Sequence, residues 1–163
     1  MRRRKPDPAA LAAPDDPKAA RLAALKLLNR RDHGAREIAE RLVARGFTRA
    51  AAETAVEGLR SERLVDDGRF AEHLVAYHAN RGRGPVGIAH RLREAGVPAD
   101  TIAIAVDVTS ADWRRRCAEA RRKRFGAKLP ATWAEKGRQA RFLTQRGFSA
   151  DQVRAAVGNE HED

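Results

Sequence analysis

Residues 38–47 read Ile38-Ala-Glu-Arg-Leu-Val-Ala-Arg-Gly46-Phe47, and this pattern returns twice further along the chain. The second copy reads Ile88-Ala-His-Arg-Leu-Arg-Glu-Ala-Gly96-Val97, and the third reads Gln139-Ala-Arg-Phe-Leu-Thr-Gln-Arg-Gly147-Phe148. The glycines are 50 and then 51 residues apart. A repeat of this length is one supersecondary unit that cannot bury its apolar face alone, so neighbouring copies are expected to stack.

Four apolar columns accompany each glycine and predict two helices joined by a turn. They lie four residues before the glycine and one, six and ten residues after it. The columns are Leu42, Leu92 and Leu143; Phe47, Val97 and Phe148; Ala52, Ile102 and Val153; and Val56, Val106 and Val157. The last two columns are four residues apart, a spacing that is typical of one helix face. Glycine is typical of the left-handed position past a helix C-terminus, so the first helix is expected to end there.

Start signals for the second helix of each pair follow the glycine. Ser149 with Gln152 reads as a capping box, and Thr48 suits an N-cap position. Pro98 provides the fixed φ that suits a first helical turn. Each pair is preceded by a third helix, over about Ala19–Arg31, Gly68–Asn80 and Ala111–Phe125. The inward residues of these three helices are predicted to be Leu22, Leu25 and Leu28; Phe70, Leu74 and Tyr77; and Trp113, Cys117 and Ala120.

The sequence therefore predicts an all-α fold of nine helices, arranged as three tandem three-helix repeats that form an elongated, curved body. The predicted domains are a flexible basic tail at 1–18, helical repeats at 19–65, 66–109 and 110–158, and a frayed C-terminus at 159–163. Exchange of a repeat between two chains would make a dimer, whereas a monomer is the simpler expectation.

The chain is strongly basic, with 33 Lys and Arg against 22 Asp and Glu and a net charge of +11. This excess favours a polyanion or an acidic protein surface as the partner. Aromatic residues make up only 5 %, which disfavours the stacking platforms of single-strand binders. A bilayer-spanning apolar run and a secretory signal are both lacking, so a cytoplasmic location is expected.

The positive charge is concentrated at residues 109–146, with twelve Lys and Arg against three Asp and Glu. We predict phosphate or acidic-protein contacts at Arg114, Arg115, Arg121, Arg122, Lys123, Arg124, Lys128 and Arg138. Such contacts contribute affinity and position rather than sequence preference, and they weaken with salt. The alternative is a solvated face that serves solubility.

A glycine-rich stretch, Arg81-Gly-Arg-Gly84-Pro-Val-Gly87, lacks the preceding strand and the lysine-serine ending of a nucleotide-binding loop. One interpretation is a turn between helices with Pro85 at a first helical position. The other is a phosphate contact to backbone amides at that helix N-terminus, with Arg81 and Arg83 as flanking contact residues.

Catalytic constellations are not evident. The five histidines do not form a pair four residues apart, and the lone Cys117 excludes a structural zinc site and suits a buried thiol. Asp66 or Asp67 is expected to cap the helix that starts near Phe70. We therefore expect a protein that is not an enzyme and that uses no cofactor or metal.

Ordered motifs across residues 19–158 resemble the RecX family, bacterial modulators of the RecA recombinase. They are Leu64-Val-Asp66-Asp67-Gly-Arg69-Phe70-Ala71, Gly82-Arg-Gly84-Pro85-Val-Gly-Ile88, Leu92-Arg-Glu-Ala-Gly96-Val97 and Lys136-Gly-Arg-Gln-Ala-Arg-Phe142-Leu143-Thr-Gln-Arg146-Gly147-Phe148-Ser149, while Ala24–Arg45 fits the opening repeat. The chain departs from the family pattern at three residues. The family commonly carries a basic residue where His78 stands and another after Pro85, where this chain has the neutral Val86 and Gly87.

The resemblance implies a non-enzymatic regulator that binds the RecA–DNA filament and inhibits the ATPase, strand exchange and coprotease activity of RecA. It implies roles in recombination, DNA repair and the SOS response, and binding to single- and double-stranded DNA. The alternative from charge alone is a general DNA- or RNA-binding helical-repeat protein that acts independently of RecA.

Overall fold

The computed structural model describes residues 6–158, and this part of the chain is helical without strands. Its ten helices are α1 (Pro8–Ala12), α2 (Pro17–Leu28), α3 (Ala35–Val43), α4 (Arg49–Ser61), α5 (Asp67–Ala79), α6 (Pro85–Glu94), α7 (Ala99–Ala105), α8 (Ala111–Phe125), α9 (Trp133–Gln145) and α10 (Ala150–Val157). The predicted all-α class is confirmed, and the curved outline stays a prediction. The predicted frayed segment at 159–163 lies outside the described residues.

The chain divides into two compact units. Among the described residues, the first comprises those up to 71 together with 94–101, and the second comprises 72–93 and those from 102 onward. The division falls within α5, α6 and α7, so the helices of the middle repeat contribute residues to both units. The predicted repeat boundaries stay a prediction.

The repeated columns form the core of the two units. Leu42, Leu92 and Leu143 are fully buried, and the residues of the other three columns are buried as well. Gly46, Gly96 and Gly147 have φ of 107°, 77° and 87°, the left-handed region in which an L side chain is strained. The prediction that each glycine ends a helix is therefore confirmed.

Side chains cap the helices where the sequence predicts. Thr48 accepts a hydrogen bond from the Ala51 N–H, and Ser149 forms a capping box with Gln152. Asp66 caps the start of α5 by accepting from the Arg69 N–H. Its neighbour Asp67 reaches a different helix, because its Oδ1 accepts from the Ala35 N–H at 2.9 Å and so caps α3. The two adjacent aspartates thus join α5 to α3 within the first unit.

The inward faces of two helices differ from the prediction. Leu22 is 63 % exposed and Tyr77 is 53 % exposed, although both were expected to face inward. Helix α2 instead buries Ala20, Ala23 and Ala24 with Leu27, and it packs against α4. Small side chains permit close approach of two helices, so the alanine face of α2 packs inward in place of the predicted leucine face. In α8 the predicted inward residues Trp113, Cys117 and Ala120 are all buried, which confirms that face.

Part of the predicted flexible tail is ordered. Residues 1–5 lie outside the described part, but Asp7 caps α1 and Ala10 is only 2 % exposed. The Asp7 N–H donates to the Arg45 carbonyl at 2.9 Å, and the Thr48 N–H donates to the Pro14 carbonyl at 2.9 Å. These bonds satisfy polar groups at the turn around Gly46, which explains why a proline-rich stretch is held in place.

Helix α1 repeats a contact that α6 makes in the second unit. There the Gly84 N–H, just before Pro85, donates to the carbonyl of Arg146 at 2.8 Å. The corresponding donor in the first unit is the Asp7 N–H, just before Pro8, and Arg45 also directly precedes a turn glycine. A proline-started helix therefore closes the turn in both places, and α1 serves as a cap on the first repeat.

Candidate nucleic-acid interface

A cleft of about 470 Å³ in the second unit is lined by five cationic side chains and one carboxylate. Its walls come from the end of α5, from α8 and from α9. We call it the cationic cleft; its charged lining residues are Arg81, Arg116, Glu119, Lys123, Arg124 and Arg146. Five cations and one carboxylate make it a site that attracts anions.

Arg81 is held at the edge of the cleft by the last turn of α5. Its Nη1 donates to the Tyr77 carbonyl at 3.1 Å, and its guanidinium carbon lies 3.5 Å from the centroid of the Tyr77 ring. A guanidinium over an aromatic face is attracted by the ring quadrupole. The Tyr77 ring is therefore exposed because it packs against the Arg81 guanidinium instead of against the core.

Arg146 joins α9 to the residues that follow α5. Its Nη1 donates to the Arg81 carbonyl at 3.1 Å, and its guanidinium carbon lies 5.1 Å from the centroid of the Phe142 ring. Both contacts restrict the side chain before any ligand arrives, which lowers the entropy lost on binding. Arg81 and Arg146 are 65 residues apart in sequence and are brought together only by the fold.

The glycine-rich stretch serves packing at the start of α6. The Gly84 N–H donates to the Arg146 carbonyl, and the Gly87 N–H donates to the Gly147 carbonyl at 3.2 Å. The Gly84 and Gly87 amides already have acceptors, which disfavours their contact with phosphate, and the phosphate contact at this helix N-terminus stays a prediction. A Cβ on Gly84 would lie 2.4 Å from the Phe148 nitrogen, so glycine is required by the close approach of two backbones. The predicted position of Pro85 at the first helical residue is confirmed.

Arg121 is buried, which disfavours the predicted contact between its side chain and a ligand. It is 4 % exposed, its Nη1 donates to the Lys128 carbonyl at 2.9 Å, and its Nη2 donates to the Ala127 carbonyl at 3.2 Å. The side chain thus tethers the loop that joins α8 to α9. A signal for this was present in the sequence, because Arg121 follows Cys117 by four residues and shares its buried face.

The remaining predicted contact residues divide into two groups. Arg81, Lys123 and Arg124 line the cationic cleft. Arg114, Arg115, Arg122, Lys128 and Arg138 are exposed outside its lining, and Arg83 is half-buried outside it. Whether each contacts a ligand stays a prediction.

Nearby carboxylates partly neutralise the positive charge of Arg115. Arg115 forms ion pairs with Asp112 and with Glu119, the latter at 3.4 Å. Hydrogen bonds from Arg115 and Arg116 lower the pKa of Asp112, so this carboxylate stays ionised at neutral pH. Arg116 in the cleft shares Asp112 with Arg115, at 2.7 Å from its Nε. Both are therefore weaker candidates for phosphate binding than Arg81, Lys123, Arg124 and Arg146.

Arg116 and Arg146 were missed by the sequence reasoning. Arg116 shares a face of α8 with Lys123 and Arg124, since these residues are seven and eight positions apart. That spacing was a usable signal for Arg116. Arg146 had none, because the other cations of the cleft come from α8 and from the residues after α5.

His78 lies near the cleft but contributes little charge at neutral pH. Burial lowers its pKa, and the positive charges of Arg91, Arg83 and Arg81 lower it further. The neutral form of His78 is therefore favoured at neutral pH.

Neither a metal site nor a reactive cysteine is supported by the described part of the chain. Among residues 6–158, the His, Cys, Asp and Glu side chains form no group of three that could hold a metal ion. Cys117 is fully buried, as predicted, and burial raises its pKa to about 12. Its thiolate is therefore scarce at neutral pH. None of the helices in this range combines the length and apolar character that crossing a bilayer requires.

Comparison with known proteins gives matches over most of the chain. The sequence matches family models for the first, second and third three-helix domains of RecX, at residues 20–59, 66–106 and 114–157. Regulatory protein RecX of Halorhodospira halophila (strain DSM 244 / SL1) is 46 % identical over 145 residues, covering 89 % of this chain and 90 % of the relative. The protein of the same name from Stenotrophomonas maltophilia (strain R551-3) is 38 % identical over 140 residues, covering 86 % of each chain.

The fold is also similar to a solved structure. The crystal structure of RecX from Lactobacillus salivarius superposes with a TM-score of 0.74 at 19 % identity, covering 87 % of this chain and 94 % of that one. This likeness supports the arrangement of helices, and the sequence matches support the family. The chain belongs to the RecX family.

Proposed function

We propose that this protein is a non-enzymatic regulator that binds the RecA–DNA filament and inhibits the ATPase, strand exchange and coprotease activity of RecA. The cationic cleft is the observation that carries the proposal, because it offers five cations to a polyanion in a chain whose relatives are named regulatory protein RecX. DNA phosphates are the ligands that such a cleft suits.

The side chains of the cleft have complementary roles in this proposal. Arg81 and Arg146 are restrained by carbonyls and aromatic rings, so their guanidinium groups are oriented for a phosphate. Lys123 and Arg124 are exposed and adjust to the path of the backbone. The contacts are to phosphate, so binding is expected to show little preference for base sequence.

Inhibition also requires a thermodynamic difference between filament states. A bound regulator shifts an equilibrium only as far as it binds one state more tightly than another. We propose that the protein binds best to a filament conformation with low ATPase activity, and that it contacts DNA and RecA together. Contacts to both would act as one multivalent ligand with an affinity above that of either alone.

The test is a titration of the protein into the DNA-dependent ATPase reaction of RecA. The expected result is inhibition that saturates with added protein, together with a changed filament lifetime. Unchanged ATPase and unchanged lifetime at saturating ratios would refute the proposal. A salt-dependent shift of naked DNA with no effect on RecA would instead support a general nucleic-acid binder.

A further inference from the structure

A second groove of about 420 Å³ lies in the same unit, between α5 and the segment that contains the end of α7 and the start of α8. We call it the acidic groove, because three carboxylates lie among the apolar side chains of its lining. Its main lining residues are Glu72, Val75, Ile104, Asp107, Asp112 and Trp113.

The apolar part of the groove centres on Ile104. This side chain is 86 % exposed, whereas Ile102 in the same helix is buried. Val75 is half-buried across the groove, so the two branched side chains present apolar surface that a partner would cover. Exposed apolar surface with a polar rim is typical of a protein interaction site.

The charge of the groove opposes that of the chain. The lining carries three carboxylates against the single guanidinium of Arg116, in a protein of net charge +11. Asp112 is paired with Arg115 and Arg116, so the opposing charge comes from Glu72 and Asp107. Glu72 is exposed, and Asp107 is held in place by the N–H and hydroxyl of Thr109. These carboxylates repel nucleic acid, so the complementary occupant is a protein that carries positive charge.

The acidic groove shares a wall with the cationic cleft. Ala79 on α5 and Arg116 on α8 line both of them. Arg116 is oriented at this boundary by Asp112, whose Oδ2 accepts from its Nε at 2.7 Å. A phosphate backbone in the cleft and a protein segment in the groove would therefore lie side by side, as at the surface of a protein–DNA filament.

We infer that the acidic groove docks a protein segment that presents an apolar side chain flanked by lysine or arginine residues. The apolar side chain covers Ile104 and Val75, and its basic neighbours pair with Glu72 and Asp107. The inference rests on the proposed function for one point only, namely that the partner is the recombinase of the filament and not an unrelated protein.

The test compares two variants of the groove with two matched controls. Ile104→Ala removes the exposed apolar side chain, and Leu22→Ala removes an exposed leucine from α2. Glu72→Lys reverses a charge in the groove, and Glu57→Lys reverses the charge of an exposed glutamate on α4. Dissociation constants are measured for naked single-stranded DNA and for the RecA filament on the same DNA, and circular dichroism checks folding.

The expected results separate the two ligands. Ile104→Ala leaves the dissociation constant for naked DNA unchanged and raises that for the filament roughly tenfold or more. Glu72→Lys tightens binding to naked DNA, because it adds positive charge, and weakens binding to the filament. A general charge effect cannot produce these opposite shifts. Neither control should weaken binding to the filament.

Three outcomes would overturn the inference. If the filament binds no more tightly than naked DNA to the unchanged protein, the proposed function fails and the inference fails with it. If the filament binds more tightly but Ile104→Ala and Glu72→Lys match their controls, only the inference fails. If Ile104→Ala instead dissolves a dimer seen by light scattering, the groove holds a second copy of this chain.

Discussion

Removing two cations from the cationic cleft should reduce the salt dependence of DNA binding by a defined amount. The perturbation is the double substitution Lys123→Ala with Arg124→Ala. Both side chains are exposed and line the cleft. Neither is needed for the core, although Arg124 lies 5.4 Å from the centroid of the Phe125 ring. Folding should therefore survive, with a loss of at most about 1 kcal/mol.

The magnitude follows from counterion release. Each cation that neutralises a phosphate contributes about −0.7 to the slope of log affinity against log salt for a single strand. Two such cations contribute about −1.4, so the variant slope should be shallower by that amount. Between about 50 mM and about 200 mM salt, the unchanged protein should lose about sevenfold more affinity than the variant.

The assay is fluorescence anisotropy of a labelled single strand over a series of salt concentrations. The matched control is Arg49→Ala with Arg60→Ala, which removes the same charge from α4, where Arg49 faces Glu53 and Arg60 faces Glu57. The control should keep the slope of the unchanged protein. Equal slopes for the cleft variant and the control would refute the assignment of phosphate binding to the cleft.

Three further predictions concern stability. Leu143→Ala should lower the free energy of unfolding in urea by about 2–5 kcal/mol because the side chain is fully buried, whereas Leu22→Ala should change it by less than about 0.5 kcal/mol. Arg121→Ala should cost about 2 kcal/mol through lost hydrogen bonds to two loop carbonyls, and DNA affinity well below the melting temperature should change little. Burial alone would raise the pKa of Glu37, but His33, Arg31 and Arg41 lower it overall. The ionised Glu37 therefore stabilises the fold at pH values above 4.5, the ordinary pKa of glutamate, and this stabilisation is lost as the pH falls through the lower pKa of the folded protein. Glu37→Gln should make the free energy of unfolding depend less on pH below about 4.5.

The fold was predictable where burial follows a local pattern. The columns of Leu42, Leu92 and Leu143 are buried as predicted, because the repeat places one apolar face on every copy. Prediction was wrong for Leu22 in α2, where two faces compete and the smaller alanines pack against α4. The ordered α1 was also missed, because its bond from Asp7 to Arg45 depends on a turn more than thirty residues away.

The candidate site was predictable only in part. The clustering of cations on α8 is visible in sequence, and Lys123 and Arg124 do line the cleft. Sequence reasoning counted Arg121 among them because it weighed charge more than helical position. The partners of Arg121 are carbonyls of Ala127 and Lys128, and only the path of that loop reveals them.

The amino-acid sequence by itself determined the helical class, the three glycine turns, the buried leucine columns and the excess of positive charge. The first three features depend on residues within one or two helical turns of each other, where spacing and residue type act directly. The excess of positive charge follows from composition alone. The tertiary structure decided which cations share a cleft, as Arg81 and Arg146 show, and which carboxylates border the groove beside it. Those arrangements depend on distances between helices that are far apart in the chain, and such distances follow from packing as a whole.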